Sequence, residues 1–310
     1  MNRIIAIVGP TATGKSALAI QLALSLGGEI VSADSRQVYK YMEIGTAKPS
    51  REDRAKVPHH IIDIITPNEA FTLANYQGLA FEAIADIQRR CKLALLVGGS
   101  GLYVRAVTGG LSIPKVAPDP ELRRRLEERA AQEGYQSLYS ELQGVDPAAA
   151  EKIDPRNVRR VIRALEVYIT SGVPFSQLQQ SSPKVSAITI GLTTARDDLY
   201  SRIDSRVDQM IERGLVDEVK WLLDRGYSPE LPAMSGFGYK QIVTHLKGET
   251  SLEEAIQRIK FETHRFARNQ YAWFRPKDEH IHWFDIRDEP LESIRDLIKQ
   301  STSDIDSSKH

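Results

Sequence analysis

The sequence predicts an α/β fold in which a P-loop core carries a parallel, doubly wound sheet and an all-helical subdomain is inserted into that core. Three observations support this fold class. Short apolar runs alternate with helix-length segments, a glycine-bearing loop follows the first run, and strand signals are missing from 114 to 183. The predicted organisation is a core at 1–113, a helical insertion at 114–183, a largely helical second part of the core at 184–300, and a polar, disordered tail at 301–310.

The core elements follow from apolar periodicity and from glycine positions. Arg3 to Val8 is an apolar run typical of a strand, and the segment from 17 to 26 has a helical pattern that stops at Gly27. Later apolar runs predict strands at 29–33, 93–97 and 185–193, and longer periodic segments predict helices at 73–90, 197–224, 239–247 and 251–275. This alternation favours a parallel sheet, because parallel neighbours need crossover connections.

The insertion begins with three closely spaced prolines and continues as successive helical stretches. Within it, arginines recur at the helical spacing i, i+3, i+4 and i+7, and apolar residues repeat this spacing two positions later, about 200° around a helix. The arginine face either contacts nucleic-acid phosphates or is a solvated surface. The arginines are Arg156, Arg159, Arg160 and Arg163, and the apolar residues are Val158, Val161, Ile162 and Leu165.

Composition limits the remaining possibilities. The chain has 310 residues, 41% of them hydrophobic, and equal numbers of basic and acidic residues (41 each), so nucleic-acid binding would use local patches rather than overall charge. Cys91 is the single cysteine, which excludes an internal disulfide and a multi-cysteine zinc site. No apolar run approaches the ~20 residues of a membrane span, so we expect a cytoplasmic protein without membrane contact. The sequence gives no sign of an obligate protein partner, and we expect a monomer.

The strongest motif is GPTATGKS, which stands between the first predicted strand and the first predicted helix. Its glycines let backbone amides wrap around an anion at a helix N-terminus, the lysine adds a positive charge, and the serine hydroxyl can bind Mg²⁺. The sequence therefore predicts a diphosphate-binding loop. Its residues are Gly9, Pro10, Thr11, Ala12, Thr13, Gly14, Lys15 and Ser16.

The acidic residue that many P-loop hydrolases and kinases carry after a later strand is missing from the expected place. The strand predicted at 93–97 ends in a Gly-Gly-Ser-Gly run, although Asp34 or Asp63 remain as substitutes. Asp34 follows the second strand, at the carboxyl edge of the sheet where open α/β sheets bind ligands. It is either a catalytic carboxylate or a cap of the following turn. His59 and His60 lack a third convergent ligand and are better explained as structural residues.

Seven segments, in one order over nearly the whole chain, together match a known pattern. They are GPTATGKS (9–16), SADSRQVYKYMEIGTAKP (32–49), LVGGSGLYVRAV (96–107), RVIRALEVY (160–168), LYSRIDSRVDQMIERGLVDEV (199–219), GYKQI (238–242) and RFARNQYAWFR (265–275). With these segments the sequence resembles the bacterial tRNA dimethylallyltransferase family, also called tRNA isopentenyltransferases. The segment around Asp34 is more specific than the phosphate loop, which kinases share.

The resemblance implies transfer of a dimethylallyl group from dimethylallyl diphosphate to the exocyclic N6 amine of the adenosine 3′ of the anticodon in tRNA, with release of diphosphate. It implies Asp34 as general base, Lys15 and Ser16 as donor contacts, a Mg²⁺ cofactor bound through Ser16, and Ser100 and Arg206 as further catalytic residues. Arg206 would also bind the diphosphate. The residues implied to contact tRNA are Asp34, Ser35, Arg36, Gln37, Ser100, Arg159, Arg160, Val161, Ile162 and Arg163.

Some positions depart from the family pattern or have a simpler explanation. Position 100 is Ser where Thr is expected, which retains the hydroxyl. Asn269 replaces an expected basic residue and Ala272 an expected Thr, which weakens the case for tRNA contacts at Arg265 and Arg268. Before the family match, Arg206 could equally form an exposed ion pair with a neighbouring acid.

Three other functions use the same residues differently. A small-molecule kinase would bind ATP at the phosphate loop and use Asp34 as base on a hydroxyl, and a transferase could act on free adenine nucleotides. An RNA-binding switch that responds to nucleotide state would need no catalytic Asp34. The arginine helix and the insertion count against the first two, because small substrates need no extended basic surface.

Overall fold

The structure is a computed structural model that describes residues 3–111, 113–114, 116–178 and 185–307, with side chains described up to 301. It consists of two compact units. Unit 1 comprises Met1–Gly109 and Val185–His310, and unit 2 comprises Gly110–Lys184. The second unit therefore begins four residues before the predicted insertion of 114–183 and ends one residue after it.

The centre of unit 1 is a six-stranded, all-parallel sheet, which confirms the predicted α/β class. Its strand order is β3-β2-β4-β1-β5-β6, so β1 lies inside the sheet with β4 and β5 as neighbours. Two strands were missed by the sequence analysis: β3 has only two residues and β6 is a partly exposed edge strand, so neither has a clear apolar period. The strands are β1 Arg3–Val8, β2 Gly28–Ser32, β3 His59–His60, β4 Leu93–Val97, β5 Ser186–Thr193 and β6 Ile281–Asp285.

Four helices accompany the first four strands. They are α1 Lys15–Leu26, α2 Arg51–Lys56, α3 Leu73–Arg89 and α4 Gly101–Thr108. Alternate residues of β1 face opposite sides of the sheet. Ile5 and Ile7 pack with Leu22 of α1, whereas Ile4 and Ala6 belong to the core that contains α3 and α4. Burial on both faces explains why these strands are continuous apolar runs.

Unit 2 contains helices and no strand in its described part. Its elements are α5 Pro120–Glu133, α6 Tyr135–Val145, α7 Pro147–Ala150, α8 Val158–Ser171 and α9 Phe175–Leu178. Leu126, Leu138, Leu142 and Leu165 form the centre of its own apolar core. A second core of this kind allows the unit to be compact by itself.

The chain returns to unit 1 through β5 and ends in five further helices: α10 Arg196–Glu212, α11 Leu215–Asp224, α12 Tyr239–Leu246, α13 Leu252–Trp273 and α14 Leu291–Ser307. The single helix predicted at 197–224 is wrong, because Gly214 adopts a left-handed conformation with φ 94° and separates α10 from α11. The predicted disorder from 301 is also wrong in part: α14 continues to Ser307, and 308–310 lie outside the described residues. Within the described part of the chain, no helix is both long and apolar enough to cross a bilayer.

Candidate active site at the phosphate loop

The phosphate loop joins the carboxyl end of β1 to the N-terminus of α1. Gly14 precedes the helix in a left-handed conformation with φ 79°, and its carbonyl accepts the first helical bond from Leu18 N at 3.1 Å. The amides of Lys15, Ser16 and Ala17 therefore precede the first helical donor and have no acceptor within the helix. Free amides at a helix N-terminus form an anion-binding site.

Side chains brace the loop from inside and from α10. Thr13 Oγ1 donates to Pro10 O at 2.9 Å, and Lys15 Nζ donates to the same carbonyl at 2.5 Å. From α10, Arg202 Nε donates to Ala12 O at 3.0 Å. Ala12 has φ 66°, a conformation that costs about 1–3 kcal/mol for a residue with a side chain and is found mainly at functional sites. The loop is thus held in a fixed, concave shape.

Two adjoining cavities lie at this loop. The phosphate-side cavity, about 280 Å³, is lined by the loop and by four cationic residues: Lys15, Lys48, Arg206 and Arg213. The apolar cavity, about 520 Å³, is lined in part by Ile203, Val207, Met210, Phe237 and Ile259. Six residues line both cavities, so the two spaces are neighbours: Thr11, Asp34, Gly99, Arg206, Phe266 and Gln270.

Positive charges dominate the phosphate-side cavity. Burial, and to a lesser extent the Arg206 charge, lower the pKa of the Lys15 ammonium from its usual value to about 7, although Asp34 acts in the opposite direction. Burial also lowers the pKa of the Arg206 guanidinium, which Asp34 again opposes and Arg213 reinforces. Without a ligand these cations repel one another, and an anion such as diphosphate would relieve that repulsion.

Asp34 is the one carboxylate among the described residues that line either cavity, and it lines both. Its Oδ1 accepts from Arg36 N at 2.8 Å, so it also caps the turn after β2 as the simpler interpretation required. The other carboxylate oxygen has no bond within the described residues. Capping therefore orients Asp34 without using its full hydrogen-bonding capacity.

Ser35, Arg36 and Ser100, which line the apolar cavity with Asp34, form hydrogen bonds within the protein. Ser100 Oγ accepts from Ser35 N at 3.1 Å, which ties the start of α4 to the loop after β2. The guanidinium of Arg36 donates to Pro232 O at 2.6 Å and to Ser235 Oγ at 3.2 Å. Arg36 thus braces another loop of unit 1 and presents only part of its hydrogen-bonding surface to solvent.

Gln37 does not fit the predicted role of contacting tRNA through its side chain. It is 9% exposed, its Oε1 accepts from Ser32 Oγ at 3.1 Å, and its Nε2 donates to Ala47 O at 3.4 Å. A buried amide with both ends used cannot also bind a large external partner. Gln37 instead joins the two ends of the loop that carries Asp34.

The predicted arginine face of the insertion is smaller than expected. Helix α8 starts at Val158, so Arg156 precedes it, and Arg156 pairs with Asp154 at 2.8 Å. Arg163 is partly buried and donates to the fully buried Glu166 at 2.6 Å. These two arginines serve internal contacts because acids that are close in sequence compete for them.

Arg159 and Arg160 remain on the exposed surface of α8, and neither forms an ion pair within the described ranges of unit 2. Val161 and Ile162, in contrast, are 1% and 3% exposed in the core of the unit. Their side chains therefore stabilise the helical core. Contact with tRNA at Val161 and Ile162, as the resemblance implied, stays a prediction, and it would have to use atoms other than these buried side chains.

The sequence analysis missed Gln270, which joins α13 to the phosphate loop. This residue is 4% exposed, its Oε1 accepts from Thr11 N at 2.8 Å, and its Nε2 donates to Gly99 O at 2.9 Å. The close approach needs glycine at position 99, where a Cβ would lie 2.1 Å from Gln270 Nε2. Gln270 lies within the RFARNQYAWFR segment, where no local pattern distinguishes a buried amide from an exposed one.

Two cationic residues of the phosphate-side cavity were also missed. Arg213 follows the last turn of α10, and no local pattern distinguishes it from an ordinary surface arginine. Lys48 has a fully buried side chain, donates to Tyr39 O at 2.5 Å and forms an ion pair with Asp63. Arg54 also pairs with Asp63, so this acid is held among cations and does not line the cavity.

The remaining candidates divide between the site and the rest of unit 1. Asn269, Phe266 and Trp273 line the apolar cavity, whereas the Arg268 guanidinium donates to the Tyr200 hydroxyl at 2.7 Å. His60 Nε2 lies 2.8 Å from Glu29 Oε2, and His59 Nδ1 lies 2.7 Å from a backbone carbonyl.

Fold and site together define the class of the protein. It is an α/β protein of the P-loop type in which the phosphate-side cavity adjoins the apolar cavity and one carboxylate, Asp34, lines both. A family model described as IPP transferase matches residues 37–277. A tRNA dimethylallyltransferase of Thermomicrobium roseum is 50% identical over 300 residues, which cover 96% of this chain and 91% of that relative. The relative from Roseiflexus sp. is 55% identical over 276 residues, 89% of this chain and 90% of that protein.

Solved structures agree with the sequence relatives. The crystal structure of the full-length tRNA isopentenylpyrophosphate transferase from Bacillus halodurans has a TM-score of 0.73 and 41% identity, with both chains covered completely (100%). A eukaryotic dimethylallyltransferase acting on tRNA has a TM-score of 0.79 and 28% identity, covering 98% of this chain and 80% of that one. The chain belongs to the IPP transferase family, and it is therefore a transferase enzyme.

Proposed function

We propose that this enzyme transfers a dimethylallyl group from dimethylallyl diphosphate to the N6 amine of the adenosine 3′ of the anticodon in tRNA and releases diphosphate. The observation that supports this most is the position of Asp34, which lines both the phosphate-side cavity and the apolar cavity. The relatives named as tRNA dimethylallyltransferases support the donor and the acceptor.

Asp34 would act as the general base. The exocyclic amine of adenine is a poor nucleophile, because its lone pair is delocalised into the ring, and it must lose a proton as it reacts. In the proposed step the N6 nitrogen forms a bond to the allylic carbon, the carbon–oxygen bond of the donor breaks, and its electron pair leaves with the diphosphate. The released proton goes to the Asp34 carboxylate, an assistance that is worth about 10² to 10⁴ in rate.

The phosphate-side cavity suits the leaving group. Negative charge grows on the diphosphate as the bond breaks, and the first-turn amides of α1, Lys15 and Arg206 would stabilise it. Arg206 also lines the apolar cavity, so it is close to both reacting parts. Ile203 and Val207, one turn apart on α10, offer an apolar wall for a short branched hydrocarbon group.

The residues present fit a Mg²⁺ ion that is shared with the diphosphate. Ser16 is exposed in the phosphate-side cavity, and its hydroxyl has no partner among the described residues. Mg²⁺ commonly binds through one or two protein oxygens plus phosphates and water, so one hydroxyl suffices. When bound, the ion would neutralise charge on the departing diphosphate, and Ser16 would be its protein ligand.

Arg159 and Arg160 are the residues best suited to contact tRNA in unit 2, since both are exposed and unpaired within its described part. Phosphate contacts of this kind orient an RNA without reading its bases. Access to the N6 amine requires an unstacked base, so the target adenosine should lie in a single-stranded loop.

The test combines two labelled donors with unmodified tRNA. Incubation with radiolabelled dimethylallyl diphosphate should label tRNA in the presence of Mg²⁺, and ATP labelled in its γ-phosphate should not. Nuclease digestion and mass spectrometry should then find the added group on N6 of the adenosine next to the anticodon. Label in tRNA from ATP alone would end this proposal.

Asp34→Asn tests the base directly. It should retain tRNA binding and lose at least about 10² in single-turnover rate, because an amide cannot accept the proton. Asp217→Asn is a suitable control, since Asp217 is an exposed carboxylate on α11 that lines neither cavity. A near-normal rate in Asp34→Asn removes Asp34 as the base.

A further inference from the structure

The segment between β2 and α2, residues 33–50, contains no helix and no strand, yet it supplies much of the wall of both cavities. We call it the cavity loop. Asp34 lies at its start, Gly45 and Thr46 line the apolar cavity, and Lys48 lines the phosphate-side cavity. Backbone bonds tie its first half to other segments, as from Lys40 N to Ile65 O at 2.7 Å and from Ile64 N to Val38 O at 2.9 Å. The amides of residues 43–45 instead donate to a side chain from another element.

Glu218 on α11 provides this side chain. One carboxylate oxygen accepts from Glu43 N at 2.8 Å and from Ile44 N at 2.8 Å. The other oxygen accepts from Gly45 N at 3.1 Å and from the Tyr239 hydroxyl at 2.6 Å. Three consecutive amides and one hydroxyl therefore converge on a single side chain, which fixes the direction of the cavity loop at this point.

Glu218, residues 43–45 and Tyr239 form a cluster, and two of its members lie in the wall of the apolar cavity. Gly45 and Tyr239 both line it, and neither lines the phosphate-side cavity. They are in close contact, since a Cβ on Gly45 would lie 2.5 Å from the Tyr239 ring. Tyr239 is 1% exposed and tightly packed, so a shift of the loop at Gly45 would require a shift of the Tyr239 ring.

Glu218 differs from the glutamates that serve ion pairs in this protein. Buried Glu29 accepts from Arg90 and Lys92 and lies beside His60, so cations balance its charge. Glu218 forms no ion pair in the described parts of the chain, and backbone and hydroxyl dipoles satisfy it. Because backbone amides point in fixed directions, they can satisfy Glu218 only when the loop has one particular orientation; a nearby cation would not impose this condition.

We propose that Glu218 is a positioning residue for the transfer reaction: it holds residues 43–45 and Tyr239 so that the apolar cavity keeps the shape that aligns the acceptor amine with the donor. This role rests on the proposed function. It acts through the apolar cavity, because no residue of the cluster lines the phosphate-side cavity. Ala47 and Lys48 do line that cavity, and their amides donate to Ile44 O at 3.0 Å and to Glu43 O at 3.2 Å. These bonds are internal to the cavity loop and do not involve Glu218, so the anion site should change little when Glu218 is replaced. Misplacement of reacting groups by about 1 Å can cost about 10² in rate.

The experiment compares Glu218→Ala, Glu218→Gln and Tyr239→Phe with the matched control Asp217→Asn on the same helix. Three quantities are measured in the full-length chain: the single-turnover rate at saturating tRNA and dimethylallyl diphosphate, the affinity for inorganic pyrophosphate with Mg²⁺, and the melting temperature. Glu218→Ala should lower the rate by about 10², with pyrophosphate affinity within about twofold of wild type.

The conservative variants should retain more activity than Glu218→Ala. Glu218→Gln keeps one carbonyl acceptor for the amides of Glu43 and Ile44 but turns an N–H₂ group toward Gly45 N, so its rate should be intermediate. Tyr239→Phe removes a single hydrogen bond to the carboxylate and should lower the rate by about tenfold. Asp217→Asn should match wild type in all three measurements.

Several outcomes overturn the proposal. A wild-type rate in Glu218→Ala does so, because the cluster then has no effect on the reaction. A pyrophosphate affinity that falls in step with the rate also does so, because the loss would then lie in anion binding and not in the apolar cavity. If Glu218→Ala fails to fold, wild-type rates in both Glu218→Gln and Tyr239→Phe would overturn the proposal instead. Absence of labelled tRNA with the wild-type chain refutes the proposed function itself, and this role with it, before any variant is compared.

Discussion

Raising the pH should weaken diphosphate binding through Lys15. Burial and the neighbouring Arg206 lower the pKa of its ammonium to about 7 in the unliganded protein. The protonated fraction then falls from about 90% at pH 6 to about 1% at pH 9. If the charged form binds the anion, affinity should fall by about 10² over this range, close to tenfold for each unit above pH 7.

The sign of the accompanying proton exchange follows from the same pKa. A bound anion stabilises the ammonium and raises its pKa, so binding above pH 7 takes up a proton at Lys15. Uptake should approach about one proton per site at pH 8 to 9, with little contribution from this group at pH 6. Isothermal calorimetry in buffers of different ionisation enthalpy measures both the affinity and the proton uptake.

Lys15→Arg is the control, because a guanidinium stays protonated over the whole range. Both proteins share the titration of pyrophosphate itself, so the ratio of wild-type to variant affinity isolates the lysine. The ratio should fall as the pH rises from 6 to 9. A constant ratio, or equal proton uptake by the two proteins at pH 8, refutes the argument that Lys15 is desolvated and repelled by Arg206.

Three further predictions concern residues that the structure distinguishes. Replacing Arg159 and Arg160 together by Ala should weaken tRNA binding and lower the salt slope by about 1 to 2 in filter-binding assays. Arg163→Ala should instead lower the free energy of unfolding by about 2 kcal/mol in urea melts, because it removes a charged hydrogen bond from a buried glutamate; an unchanged midpoint contradicts this. Gln270→Ala should weaken pyrophosphate binding by about tenfold, since it releases Thr11 N and Gly99 O; equal affinities in calorimetry exclude such a brace.

The sequence by itself determined the α/β class, four of the six strands and the phosphate loop. These features are local: an apolar run buried on both sheet faces, or a contiguous glycine-bearing loop before a helix, carries its own signal. The two missed strands lack such a signal, because one has two residues and the other lies at the sheet edge. Helix breaks are less visible, as the left-handed Gly214 between α10 and α11 shows.

Within the site, the sequence identified Asp34 and the loop that binds phosphate, but not the residues that hold them. Gln270 lies 259 positions from the Thr11 amide that it contacts, and Glu218 lies 173 positions from Gly45. Partners so remote are brought together only when α11 and α13 pack against neighbouring helices of unit 1, which no local pattern encodes.

The arginines illustrate what only the tertiary structure decided. Arg159, Arg160 and Arg163 look alike in the sequence, yet two are exposed and the third binds the buried Glu166 carboxylate. The amino-acid sequence specifies which charged side chains exist. Whether a charge meets solvent, substrate or an internal partner depends on which groups folding brings within hydrogen-bonding distance, because electrostatic and hydrogen-bond energies depend on separation and burial.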